Sequence, residues 1–374
     1  MKERSAALDG LRGVAAVAVI FYHSILVSPH LVSDVLHAPV QTLSGADIVA
    51  KVVLALVSGS NAVLLFFVLS GFVLKLSFDK MSGTAGVVAY NFVIRRLCRL
   101  FPAVFFAMAF LSVLSWLCIW LGSGLGAFES GSDLELVLQN ALLWKVTVNG
   151  ATWTIQAELI AIPFLLSAFV ISTIGGLAGS IGCFIYALCA MGHPNLLGGA
   201  LWMPYSLAAF MAGMVGADAR LKPLFALANQ HALVSIVAAL VAIKLFFLTG
   251  GLAVRTSNVL LSMALVGGVY HASTAVPFVR LLNSRLAQYL GKVSYSLYLV
   301  NVPIIWVFMW LAPALGLDHL GALERGLVTG FLVALCSLPV AALSESVFEQ
   351  GGISLGRALS IRSVARSSAL SPAD

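Results

Sequence analysis

The sequence predicts an all-α, polytopic membrane bundle of about ten transmembrane helices, and three observations carry that reading. First, only 10% of the 374 residues are charged, 60% are hydrophobic, and the mean hydropathy is +1.02. Soluble globular chains carry about 25% charge and have no means of hiding so much apolar surface. Disordered chains are the opposite, poor in aliphatics and rich in charge. Second, segments such as Ala103 to Phe110 run apolar without alternation, whereas strands of a membrane barrel alternate apolar and polar residues. Third, the Lys and Arg residues fall on one side of the bilayer once the spans are drawn.

A span needs about 20 apolar residues. Apolar segments lie near 8–28, 52–74, 101–122, 153–173, 177–192, 201–217, 232–249, 257–275, 293–312 and 326–344. With the N-terminus inside, fifteen cations occupy cytoplasmic segments, among them Arg95, Arg96, Arg99, Arg220 and Arg285. Only Lys51, Lys145, Arg255 and Arg325 occupy outer ones, while Arg12 and Lys244 lie within spans. That asymmetry orients the chain with both termini cytoplasmic. It also explains the net charge of +6 and pI near 9.2 without nucleic acid.

The first apolar run ends in Val27-Ser28-Pro29-His30 with no small-residue cleavage pattern, and so reads as a retained span. The five cysteines lack metal-ligand spacing and read as reduced core residues. No metal site is expected. Residues 1–350 read as one membrane-embedded unit. Residues 351–374 read as a short basic cytoplasmic tail with no fused soluble domain. The absence of an internal repeat disfavours a transporter built from duplicated halves.

Ionisable side chains within spans cost at least about 2.5–3.5 kcal/mol each for Arg, Lys or Asp, so function is sought there. Arg12 and His23 are eleven residues apart in the first span. At about 100° per residue they share a helix face, roughly 16 Å apart along the axis. Arg12 lies near the inner boundary and His23 at or beyond the midplane, which suits a ligand lying along the helix with its anion inside. Arg96 and Arg99 share a face at i, i+3 and can grip phosphate, whereas Arg95 reads as a lipid anchor. Glu158, in Trp153-Thr154-Ile155-Gln156-Ala157-Glu158, needs a buried partner; His23, Arg12 and a sugar hydroxyl are the candidates. Trp153 is an interface aromatic of the kind that stacks on sugars. His271 and Lys244 read as satisfied or snorkelling residues, and His193 and His319 as solvated loop residues. No P-loop, nucleophile elbow or zinc helix motif occurs.

These clusters, in this order, resemble the acyltransferase-3 family of integral membrane acyltransferases. Arg12 with His23 matches that family's Arg-x10-His signature, and Phe66-Phe67-Val68-Leu69-Ser70-Gly71-Phe72 its Phe-Phe-x-x-Ser-Gly-Phe segment. Arg96-x-x-Arg99 before Pro102 resembles its Arg-x-x-Arg motif, and Trp153-Thr154-x-x-x-Glu158 its Trp-Ser-x-x-x-Glu. Ser294-Tyr295-Ser296-Leu297-Tyr298-Leu299 matches its Ser-Tyr-Ser-x-Tyr-Leu run. Thr154 replaces a Ser, Ile162 and Pro163 replace aromatics, and Asn301 stands where a His is common.

The resemblance implies O-acylation. An acyl group, usually acetyl, passes from cytoplasmic acyl-CoA to a hydroxyl of an extracytoplasmic carbohydrate. His23 and Glu158 would be catalytic, Arg12, Arg96 and Arg99 would bind acetyl-CoA, and Ser70, Trp153, Tyr295, Tyr298 and Asn301 would support the acceptor or the fold. CoA is then a substrate and no cofactor is held tightly. The implied setting is a bacterial inner membrane, with a separate extracytoplasmic transferase partner for any second transfer step. The competing reading is a transporter or flippase for a lipid-linked or anionic substrate.

Overall fold

A computed structural model describes residues 2–81, 83–197, 203–247 and 251–361, with side chains from Ala6 onward. Residues 362–374 of the expected tail, with Arg362 and Arg366, lie outside the described residues, as do segment edges 201–202 and 248–249. Every regular element described is helical. In chain order they are α1 (Lys2–Ile25), α2 (Ala46–Leu56), α3 (Gly59–Phe78), α4 (Ala85–Trp120), α5 (Gly126–Ser132), α6 (Leu134–Ala141), α7 (Trp153–Ile160) and α8 (Ile162–Gly192). There follow α9 (Met203–Gly216), α10 (Lys222–Phe225), α11 (Gln230–Phe246), α12 (Leu252–His271), α13 (Pro277–Leu282), α14 (Arg285–Leu311), α15 (Ala322–Ser344) and α16 (Gln350–Ala358).

Polar caps set the helix starts where the chain leaves a loop. Ser58, Thr84, Asn229 and Ser284 accept from the backbone N–H groups of Asn61, Val87, Ala232 and Ala287, satisfying donors that a helix N-terminus leaves free. By length and apolar composition, seven of the described helical stretches suffice to cross a membrane. The count is eight if α10 and α11, bent by 96°, form one span, and α9 is shorter. The chain is therefore a multi-pass membrane protein.

Two of the expected segments, 153–173 and 177–192, fall within the single apolar stretch Gly150–Gly192. Gly176, at φ +57° and ψ −139°, breaks the helical path inside α8. A Cβ on Gly179 would lie 2.5 Å from the carbonyl oxygen of Ile171. Eight residues of straight helix would separate those positions by about 12 Å, so the chain doubles back at Gly176. Only a residue tolerant of positive φ permits that turn.

α1 is the hub, packing on α3, α12, α14 and α15. Its approach to α13 and α14 is as close as backbones allow. A Cβ on Gly10 would overlap the Leu282 carbonyl, one on Gly13 the Gly291 backbone, and one on Gly291 the Asp9 carbonyl. α3 and α9 meet in the same way, with Gly71 against the Phe210 carbonyl and Gly213 against the Val68 carbonyl. Small residues at crossings let van der Waals contact replace the hydrophobic drive that lipid does not supply. Large side chains such as Trp116, Trp120, Ile174 and Phe331 point outward, as a lipid-facing belt requires.

The chain after α15 does not leave the bundle at once. Glu345 to Glu349 form a turn of π-helix, and α16 then packs on α4. Pro102 has no N–H for the Cys98 carbonyl four residues back, and Gly352 sits against that carbonyl. Asn91 on α4 pairs with the backbone of Ile361 through both its side-chain oxygen and nitrogen, at 2.8 and 2.9 Å.

Candidate active site

Four segments converge on an inner cavity of about 110 Å³: α1 with Arg12, α3 with Ser70, α4 with Arg96 and Arg99, and α7 with Glu158. Tyr295 and Tyr298 of α14 complete it. The three arginines that spacing singled out thus line one space, and Arg95 does not. It turns outward and donates to Ser360 Oγ at 2.7 Å.

Arg96 is the best ordered of the three by its partners. Its Nη2 donates to Glu158 Oε2 at 2.8 Å and to Ser70 Oγ at 3.4 Å, and its guanidinium lies over the Phe92 ring. Its Nε is buried and without a hydrogen-bond partner. A buried cationic donor with a free N–H, on the wall of a cavity shared with two more guanidinium groups, is chemically suited to an anion. Glu158 therefore finds its partner in Arg96, and neither His23 nor Arg12 bonds to it.

His23 lines a second cavity of about 300 Å³ with Tyr22, Trp153, Tyr205 and Tyr298. Its Nδ1 lies 3.3 Å from Asn301 Oδ1. Asn301 is fully buried, and its Nδ2 donates to the carbonyls of Tyr298 (2.6 Å) and Leu297 (3.2 Å). Those donations fix which end of the amide faces His23. An amide oxygen accepts only, so Nδ1 carries the imidazole proton and Nε2 is left with its lone pair. This assignment follows from the hydrogen-bond network. A neutral imidazole with a free Nε2 is a proton acceptor.

The two cavities share Val63, Phe67 and Tyr298. The Phe-Phe segment builds that shared wall: Phe66 packs on Tyr298, and Phe67 packs edge-on to Trp153 and against Phe210. Tyr298 and Thr154 line the same cavity, and Tyr295 donates to the Leu100 carbonyl at 2.9 Å. The Thr154 hydroxyl, which stands where a Ser would, donates to the Ala151 carbonyl at 3.0 Å.

Two buried acids escaped sequence reasoning. Glu345 and Glu349 are buried at 2% and 5% exposure. Glu345 pairs with Lys292 at 3.1 Å, and Glu349 accepts from Ser296 N and Oγ. Glu349 lies within electrostatic reach of Arg12 and Arg99. Two acids four residues apart at the end of the last apolar run were the available signal, obscured because that run looked finished at Ser344. Among the described residues no group of His, Cys, Asp and Glu is arranged to hold a metal.

No curated protein and no solved structure matches this chain. A family model described as an acyltransferase domain matches residues 5–344, a stretch that contains Arg12, His23, Arg96, Arg99, Glu158 and Asn301. With the helical bundle and the paired cavities, that match makes the chain a member of the acyltransferase-3 family, a membrane enzyme that transfers acyl groups other than aminoacyl groups.

Proposed function

We propose that the enzyme moves an acetyl group from cytoplasmic acetyl-CoA to a hydroxyl of an extracytoplasmic carbohydrate. The observation that carries this reading is the stacking of two cavities with different chemistry on a common wall, guanidinium groups in one and a free imidazole nitrogen in the other. CoA is a polyanion on a long thin arm. Arg12, Arg96 and Arg99 would hold its phosphates at the inner side, and the thioester would pass Val63, Phe67 and Tyr298 toward His23. Ten crossings with both termini cytoplasmic, in a bacterial inner membrane, agree with the cation asymmetry and with the reversal at Gly176.

In the transfer step His23 Nε2 takes the proton of the acceptor hydroxyl as its oxygen attacks the thioester carbonyl. The tetrahedral adduct collapses, the C–S bond breaks, and the thiolate takes the proton from the imidazolium, leaving an ester and free CoA thiol. Asn301 Oδ1 holds the Nδ1 proton throughout, so the ring acts through one nitrogen. Glu158 keeps Arg96 positioned rather than touching the acceptor. Trp153 is placed to stack on a sugar ring, and Ser70, Tyr295 and Tyr298 shape the passage. The donor is consumed and released, so no tightly held cofactor is required. A separate extracytoplasmic partner would serve any second transfer.

The test is acetyl-CoA-dependent release of CoA thiol by the purified full-length protein, together with acceptor acylation in cells. His23→Ala is expected to abolish both at normal expression. Arg96→Gln is expected to raise the donor KM. Full acylation by His23→Ala would sink the mechanism, and vesicle transport without thiol release would favour the transporter.

A further inference from the structure

A third cavity, of about 460 Å³, adjoins the His23 cavity and shares Tyr22, Ser60, Trp153 and Tyr205 with it. Lys51, Lys244 and Arg255, from three different helices, also line it, and among the described residues no carboxylate does. The charge pattern of the chain makes this placement unusual. Cations are scarce on the outer side, yet two of the four assigned there, Lys51 and Arg255, line this cavity together with Lys244, which hydropathy places within a span.

None of the three forms an ion pair among the described residues. Lys51 is buried at 3% exposure, with Nζ donating to the carbonyls of Leu36 (2.8 Å) and Val35 (3.4 Å). Those bonds satisfy donors without cancelling the charge. Lys51 and Lys244 also repel one another. Lys244 is half-buried and Arg255 exposed, so the cost of a buried cation without a counter-ion falls on Lys51; a snorkelling lysine would reach lipid or water rather than a cavity shared with tyrosine and tryptophan rings.

We infer that this outer chamber receives an anionic group, carboxylate or phosphate, on the acceptor, with the acceptor's ring near Trp153 and Tyr205 and its reacting hydroxyl at His23. This deepens the acyl-transfer reading above and rests on it for the role of the bound molecule. The shared wall of Tyr22 and Trp153 gives the geometry: one end of the acceptor in each cavity.

The probes are methyl β-D-glucopyranoside, the corresponding glucuronate, and the corresponding 6-phosphate, offered to full-length protein in phosphatidylcholine nanodiscs. Thiol release from acetyl-CoA reads transfer, and equilibrium dialysis of labelled probe without donor reads binding. One anionic probe is expected to exceed the neutral one by about tenfold or more in both, as a charge-assisted hydrogen bond supplies. The larger ratio identifies carboxylate or phosphate. Lys244→Gln with Arg255→Gln is expected to reduce the preference to near unity, while Lys244→Arg with Arg255→Lys keeps it, which separates charge from packing. Equal binding of neutral and anionic probes, or a preference untouched by the double Gln variant, overturns the inference. So does loss of the preference when phosphatidylglycerol replaces phosphatidylcholine, because the chamber then seats a lipid headgroup. Binding preference without transfer to any probe supports the anion site and counts against acyl transfer. Transfer without preference does the reverse.

Discussion

The contact between His23 and Asn301 makes the sharpest prediction. Asn301 is buried, with both amide hydrogens committed to the carbonyls of Leu297 and Tyr298 and its oxygen turned to His23 Nδ1 at 3.3 Å. Replacing it by Leu keeps the volume near constant and removes the acceptor. Direct loss of one neutral hydrogen bond is worth about 0.5–1.5 kcal/mol, a factor of about 2 to 13 in rate. The second cost is that Nδ1 and Nε2 now compete for the proton, and every molecule with Nε2 protonated is idle. The upper bound is the whole contribution of the general base, about 10²- to 10⁴-fold.

Asn301→Leu is therefore expected to lower kcat about tenfold or more with the donor KM unchanged, since the arginines are untouched. Asn301→Asp restores an acceptor for Nδ1–H, and should recover part of kcat while folding less stably, because a carboxylate replaces the donors to two buried carbonyls. Initial-rate thiol release over an acetyl-CoA series, with thermal unfolding as the fold check, measures all of this. A folded Asn301→Leu enzyme with wild-type kcat, beside an inactive His23→Ala, would refute the tautomer reasoning.

Three other outcomes follow from the geometry. Glu158→Leu leaves Arg96 buried beside no carboxylate and is expected to destabilise the protein by about 3–5 kcal/mol, most of it recovered in Glu158→Leu/Arg96→Met; denaturant or thermal unfolding in nanodiscs reads the cycle, and additive losses would contradict it. Gly71→Ala drives a Cβ into the Phe210 carbonyl and should cost about 1–3 kcal/mol as overpacking, whereas Gly86→Ala, with open space at its Cβ, should cost nothing measurable; equal Tm values for the two would refute the close crossing. Outside the membrane, exposed His30 bridges Asp34 at 2.9 Å and Asp47 at 3.0 Å, and those carboxylates raise its pKa above the usual 6.5. The bridge is thus complete below pH 6.5 and is lost as pH rises through the raised value. Amide exchange at residues 31–47 should quicken over that interval, and His30→Gln should remove the pH dependence.

What the sequence legibly carried was local or periodic. Hydropathy marked the spans because each helix must satisfy its backbone within itself, and an apolar run of a given length has few other uses. Arg12 and His23 could be put on one face because eleven residues nearly complete three turns. Arg96 and Arg99 separated from Arg95 for the same reason, and both line the arginine cavity while Arg95 bonds to Ser360. Gly71 was visible as a letter of a motif, but its purpose, a backbone crossing, was not.

Everything that depended on partners from distant parts of the chain was decided by the tertiary structure. Glu158 had three candidate partners by chemistry and took a fourth, Arg96, which α4 brings to 2.8 Å from its carboxylate while Arg12 lines the same cavity without bonding to it. Asn301 looked like a departure from pattern and is the residue that assigns His23 its proton, across 278 positions of sequence. Lys51 and Arg255 read singly as outer cations and Lys244 as a satisfied or snorkelling residue, and the three gather at one chamber only once three helices are packed. Helical period and hydropathy are properties of a segment and can be read from it. A counter-ion, a tautomer or a shared cavity wall is a property of packing, set by which helix faces meet, and the residues of one segment do not contain that information.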